Sequence, residues 1–313
     1  MGWLGAGLHR PECVLCTRQG DVWTSDWRGG VARLGPDGRA RLILGRAAEG
    51  TPLQPNGIAL LSDGSFLVAD LSEARAGVWR LHRSGEVQPF LLEVNGEPLP
   101  PTNFVRTDSR GRTWITVSTR VTPRAHDYRP DANTGFVVLV DESGARVVAD
   151  GLGYTNECAL DADEKYLYVN ETFGRRLTRF EIGADGSLQD REIVAEFGPG
   201  TFPDGLALDA EGGIWIVSIV SNRVIRIAPD GRQEVVLDDG DPAHVAWVEE
   251  AFQAGSLDRV HLDTMPPGRL PSISSIAFGG KDLRTVHLGC LLGDGIATFH
   301  SPIAGLPPIH WNS

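Results

Sequence analysis

The chain has 313 residues, 41 of them Asp or Glu and 29 Lys or Arg, for a net charge of −12. A hydrophobic share of 41% with 22% charged residues excludes a disordered or fibrous chain, and an acidic balance without a Lys/Arg cluster excludes nucleic acid and an anionic membrane surface as main partners. No apolar run approaches the ~20 residues of a membrane span, and Met1 to Glu12 lacks the charged start and apolar stretch of a signal peptide, so a cytoplasmic protein is expected.

The 38 Gly and 20 Pro residues imply many short elements, and a repeat orders them. The first unit opens with Pro11-Glu12-Cys13-Val14-Leu15, continues with a turn and strand in GDVWTSD from Gly20, and closes with GGVARLGPDG from Gly29 and a short strand over Arg41 to Leu44. Gly or Asp before alternating apolar residues is a hairpin signal, so each unit reads as three or four antiparallel strands. The opening phrase recurs at Pro55-Asn56-Gly57, Thr102-Asn103-Phe104, Thr155-Asn156-Glu157, Pro203-Asp204-Gly205 and Ser274-Ser275-Ile276. Six units predict an all-β fold, a six-bladed β-propeller forming one domain over residues 1–313.

Measured on that phrase, the steps are 44, 47, 53, 48 and 71 residues. The long steps carry two insertions. Arg120 to Asn133 is polar and offers Arg124, His126 and Tyr128 as substrate contacts, since loops over a rigid scaffold commonly carry recognition. Asp238 to Pro271 contains a helical pattern over Ala243 to Gln253, started by Asp241-Pro242, and is a lid candidate with His244, Trp247 and His261 as polar or aromatic contacts. Asp26, Asp70 and Glu171 end second strands and are read as blade-capping or turn residues, not as site residues. Cys13, Cys16, Cys158 and Cys290 are read as ordinary buried thiols, because no second C-x-x-C follows the first.

The first strand of a propeller blade lines the central channel, so Glu12, Asn56, Asn103, Asn156, Asp204 and Ser275 are expected to face one another. Two carboxylates converging there need a neutralising partner. Hard oxygen donors without Cys or His select a divalent cation, Ca²⁺ first, with Mg²⁺ or Mn²⁺ as alternatives, and coordination positions are left for water and substrate.

At these residues the chain resembles the family of regucalcin (senescence marker protein), gluconolactonases and luciferin-regenerating enzyme. The resemblance covers nearly the whole chain and is most specific at Pro203-Asp204-Gly205 with Ala207 to Trp215, at Asn156 with Leu160-Asp161 and Tyr166 to Val169, and at Ile276 to Leu283. It implies a propeller with a divalent metal at the channel mouth, usually Ca²⁺, and keeps Zn²⁺ among the alternatives. Glu12, Asn156 and Asp204 would be ligands, Asn103 a fourth ligand or substrate contact, and Asp204 also the catalytic carboxylate. Asn56 and Ser275 would be further substrate contacts.

The implied reaction is lactone hydrolysis, with Asp204 activating water or attacking directly. Where sugar-lactone members carry Arg and Asp around the residue matching Asn103, this chain has Pro101 and Phe104, which points to a small substrate less polar than gluconolactone. Glu157 replaces the usual Gly and is read as structural. The alternatives are a non-catalytic ligand- or protein-binding propeller and a metal-assisted biosynthetic enzyme with another substrate. The protein is expected to be a monomer or homodimer.

Overall fold

A computed structural model describes residues 1–35, 38–46 and 52–313. The Pro36-Asp37 turn expected in the first unit lies outside the described residues. Among the described residues, twenty-four strands form six four-stranded antiparallel sheets, one per blade, and a further two-stranded hairpin joins Glu93–Val94 to Glu97–Pro98. Each of the first five units therefore builds four strands, and the last builds three.

The innermost strands begin each unit: Val14–Cys16, Pro55–Leu60, Phe104–Thr107, Thr155–Leu160, Thr201–Leu208 and Ile273–Gly279. They are almost wholly buried because both faces are covered by neighbouring blades, whereas the outer strands, such as Ala40–Leu44 and Gln233–Asp238, are largely exposed. Trp114 and Trp215 fill the space between blades. Each is oriented by an Asp six residues earlier: Asp108 accepts the Trp114 Nε1 hydrogen at 3.0 Å and Asp209 that of Trp215 at 2.8 Å.

The last blade is completed from the other end of the chain. Gly2–Leu4 pairs with Ile296–His300, with Gly2 opposite Thr298, and supplies the fourth strand of that sheet. The capping reading of Asp26, Asp70 and Glu171 fits what they touch. Their carboxylates accept the backbone hydrogens of His9, Gln54 and Gly153. His9 and Gly153 lie three residues before Glu12 and Asn156, and Gln54 two before Asn56, so each cap fixes the chain just as it enters an inner strand. All four cysteines are buried and form no disulfide.

The second insertion folds as expected at its start. Helix α1, Pro242–Gln253, has Pro at its first position and Asp241 as N-cap, whose carboxylate accepts the His244 N–H at 2.7 Å. A second helix, α2, Arg259–Asp263, was not legible in the pattern. In the first insertion, Arg124–Asp127 forms a 3₁₀ turn anchored by the buried Asp127, which accepts the hydroxyls of Thr119 at 2.6 Å and Thr134 at 3.0 Å. No helix is long and apolar enough to cross a membrane among the described residues.

Candidate functional site

Glu12, Asn103, Asn156 and Asp204, from four different blades, line one small cavity of about 30 Å³ where the inner strands enter the channel. All four are at most 6% exposed. The backbone aims them. In the second, fourth and fifth blades the pairing to the next strand is interrupted at Asn56-Gly57, Asn156-Glu157 and Asp204-Gly205, and such a bulge redirects a side chain while its neighbours continue the ladder.

Glycine follows the ring residue where strands crowd: a Cβ on Gly205 would stand 2.5 Å from the Ser275 Cα, and one on Gly57 2.6 Å from the Phe104 Cα. Bonds between blades fix the ring further. The Thr116 hydroxyl donates to the Asn156 carbonyl at 2.7 Å, and the Asn170 amide donates to the Asp204 carbonyl at 2.9 Å.

Two features define the chemistry of the ring. The side-chain oxygens of Asn103 and Asn156 are buried with no hydrogen-bond partner, although the Asn156 nitrogen donates to the Thr172 hydroxyl at 3.0 Å. Such orphans are costly unless something else meets them. The Asp204 carboxyl is held well above the ordinary carboxylate range, first by burial and then by the charges of Glu12 and Glu157, against the weaker pull of Arg10 and Arg124. The Glu12 carboxylate pairs with the Arg10 Nε at 2.9 Å.

Two carboxylates and two unpartnered amide oxygens around a common space are a donor set that fits a hard divalent cation. The described residues hold no group of three or more His, Cys, Asp or Glu suited to a metal, so the fit depends on the amides.

The cavity is roofed by the two insertions. Arg124 and Tyr128 come from the first, and Arg259, Leu262 and Asp263 from the second; Tyr154, Phe173, Ile219 and Leu291 complete apolar walls. Tyr128 packs on Phe173 at 4.7 Å and on Tyr154 at 5.5 Å between ring centroids. Helix α1 is held to the blades by Arg175, which pairs with Glu249 at 2.5 Å and lies over the rings of Phe252 at 4.2 Å and Phe202 at 4.5 Å.

Other expected residues lie elsewhere. His126 is exposed and does not line the cavity. Asn56 is buried and donates to the Asn103 carbonyl at 2.9 Å, beside the cavity and not on its wall. Ser275 lies at the place of Gly205, one position past the ring, because the interruption in the last blade falls at Ser274. A one-residue offset turns a strand residue to the other side.

Ser275 and Glu157 both face a second cavity, about 360 Å³, at the far ends of the inner strands. There the Glu157 carboxyl, pushed up to about 8 by burial, accepts the Leu206 N–H at 3.0 Å. Phe104 also lines that cavity and not the small one. His244 and His261 flank Trp247, with centroids at 5.7 and 4.5 Å, outside the small cavity.

Arg10, Tyr154, Arg259, Leu262 and Asp263 were missed. A signal existed for the first two: both stand two positions before a ring residue, so a strand period of two turns them to the same mouth.

A family profile described as the SMP-30/Gluconolactonase/LRE-like region matches residues 11–253. A 6-deoxy-6-sulfogluconolactonase from Pseudomonas putida is 29% identical over 284 residues, covering 88% of this chain and 81% of that protein. A gluconolactonase from Xanthomonas campestris superposes with a TM-score of 0.67 at 20% identity, over 95% of this chain and 89% of its own. A calcium-binding protein, regucalcin, from Agrobacterium tumefaciens does so with 0.67 at 16% identity, over 100% and 98%. At these identities the structural likenesses establish the fold alone.

Proposed function

We propose, from the premise that this chain belongs to the SMP-30/gluconolactonase/LRE-like family, that it is a lactonase that opens the cyclic ester of a small molecule at the cavity ringed by Glu12, Asn103, Asn156 and Asp204. The observation that carries this reading is the convergence of two carboxylates and two unpartnered amide oxygens on one space. The family, and a relative named a 6-deoxy-6-sulfogluconolactonase, supply the reaction class.

The same four side chains would hold a divalent cation, Ca²⁺ in first place. When bound, it supplies Lewis acidity for the ester carbonyl and for the negative charge that develops on its oxygen. The rest falls to the chain. Asp204, which would be ionised once a cation's charge offsets its burial and the charges of Glu12 and Glu157, takes a proton from the water that attacks the carbonyl carbon; as the ring C–O bond breaks, that proton passes to the departing alkoxide. Asn103 and Asn156 fix the position of the reacting ester. The apolar walls of Tyr154, Phe173, Ile219 and Leu291 keep bulk water out and suit a substrate with one less polar flank.

The test is a panel of lactones assayed with Ca²⁺, Mn²⁺, Zn²⁺ or chelator, on wild type and Asp204→Ala. Turnover is expected with Ca²⁺ and lost with chelator, and the variant should fall by at least about 100-fold. Retained turnover in Asp204→Ala overturns the mechanism.

A further inference from the structure

The roof of the small cavity holds a cation, Arg124, that the ester chemistry proposed above does not use. Arg10 is paired with Glu12, and Arg259 with Asp263 at 3.0 Å. Arg124 pairs with no carboxylate among the described residues. Its Nε is shielded from solvent and has no hydrogen-bond partner. Its guanidinium lies 5.8 Å from the centre of the Tyr154 ring and faces the phenols of Tyr154 and Tyr128.

The Tyr128 phenol is approached from the other insertion by Arg259. Arg124, Tyr128 and Arg259 thus bring donors from two separate loops to the cavity that the Glu12 and Asp204 carboxylates also line. A half-buried guanidinium with no carboxylate in direct contact is costly, and Arg10 and Arg259, which line the same walls, each have one; Arg124 feels Glu12 and Asp204 only across the cavity. Planar guanidinium donors beside a phenolic O–H match the flat or forked oxygens of a carboxylate or sulfonate.

We infer that the substrate carries an anionic group, a carboxylate or sulfonate remote from the ester, and that Arg124, helped by Tyr128 and Arg259, is its binding site. The inference rests on the lactonase reading for the ester end. It departs from the expectation of a substrate less polar than gluconolactone: one flank lies against the apolar wall, one charged end under the roof. In this closed arrangement the cavity admits little more than a water molecule or two, so the insertions must part for such a molecule to enter.

The experiment compares matched pairs with and without the charge: gluconolactone against glucarolactone, and γ-methyl against γ-carboxymethyl butyrolactone, with γ-sulfomethyl butyrolactone as the sulfonate arm. Kinetics are run on Ca²⁺-loaded wild type, Arg124→Gln, Arg124→Lys and Arg259→Gln, and calorimetric titration of the anionic lactones is run alongside.

The expected result is a preference for the anionic member of a pair in kcat/KM. Arg124→Gln should remove that preference, raising KM for the anionic member at least about 30-fold more than for the neutral one, and Arg124→Lys should keep part of it. Equal turnover of both members, with Arg124→Gln altering them alike, overturns the anion site and leaves the lactonase standing. Binding of the anionic lactones that depends on Arg124, without turnover of any lactone, overturns the lactonase and leaves the anion site standing.

Discussion

Arg175→Met should loosen helix α1 from the propeller without unfolding the blades. The side chain makes a two-pronged pair with Glu249, Nη2 to Oε2 at 2.5 Å and Nη1 to Oε1 at 3.1 Å, with side-chain exposures of 11% and 18%. Breaking a buried pair costs about 3–5 kcal/mol. Glu249 keeps the Gly200 N–H at 2.9 Å and the Gln253 amide at 2.8 Å, which lowers the loss to about 2 kcal/mol.

The cation faces over Phe202 and Phe252 add about 0.5 kcal/mol each, for a total of about 3 kcal/mol. A local opening made easier by that amount speeds exchange by about 150-fold. Backbone amide exchange read on 242–253 and on the fifth-blade strand Ile214–Val220 separates the two regions. If protection in the helix is unchanged while the blade loses it, Arg175 holds the blade together and does not clamp the cover.

Glu171→Gln should destabilise the protein by about 2–3 kcal/mol at neutral pH, since the carboxylate meets Arg176 at 2.6 Å, Arg191 at 3.3 Å and the hydroxyl of Thr178. Although burial opposes it, these partners hold the Glu171 carboxyl below its usual value, so its contribution is present above about pH 4.3 and disappears as pH falls through the folded value; chemical denaturation at pH 7 and pH 3 should show the variant's deficit shrinking in acid. His310 is the opposite case of an acid-sensitive base. Burial, with Arg106 adding to it, pushes its imidazole down to about 3, so the folded state refuses a proton that the unfolded chain accepts near pH 6.5. Stability is therefore complete above that pH and declines toward pH 3, by up to about 4–5 kcal/mol. His310→Phe should flatten the decline between pH 7 and pH 4, and equal slopes for the two proteins would refute the assignment.

Much of this site could be read from the chain because the repeat carries its own ruler. Glu12, Asn103, Asn156 and Asp204 share a register, and strands with a common register meet at the axis whatever lies between them. Ser275 escaped because its blade interrupts pairing one residue earlier than its relatives, a backbone detail that leaves the apolar alternation intact. The roof was less legible for a different reason. Arg259 and Asp263 sit on a five-residue helix with too few positions to establish a period, and what they cover is decided by how α1 docks through Phe252 and Arg175. Tyr128 and His126 are two residues apart in one loop, yet only the anchoring of Asp127 decides that Tyr128 turns inward.

The borrowed strand of the last blade also sets a timetable. Gly2–Leu4 leaves the ribosome long before its partner Ile296–His300. At roughly 5–20 residues per second the wait is about 15–60 s, during which five blades can form but the ring stays open. Through that interval Trp3 and Leu4 form an unpaired apolar edge, the kind of segment that a folding assistant covers or that a neighbouring nascent chain captures. Substitutions in Gly2–Leu4 that weaken this pairing would act on this late step of biogenesis.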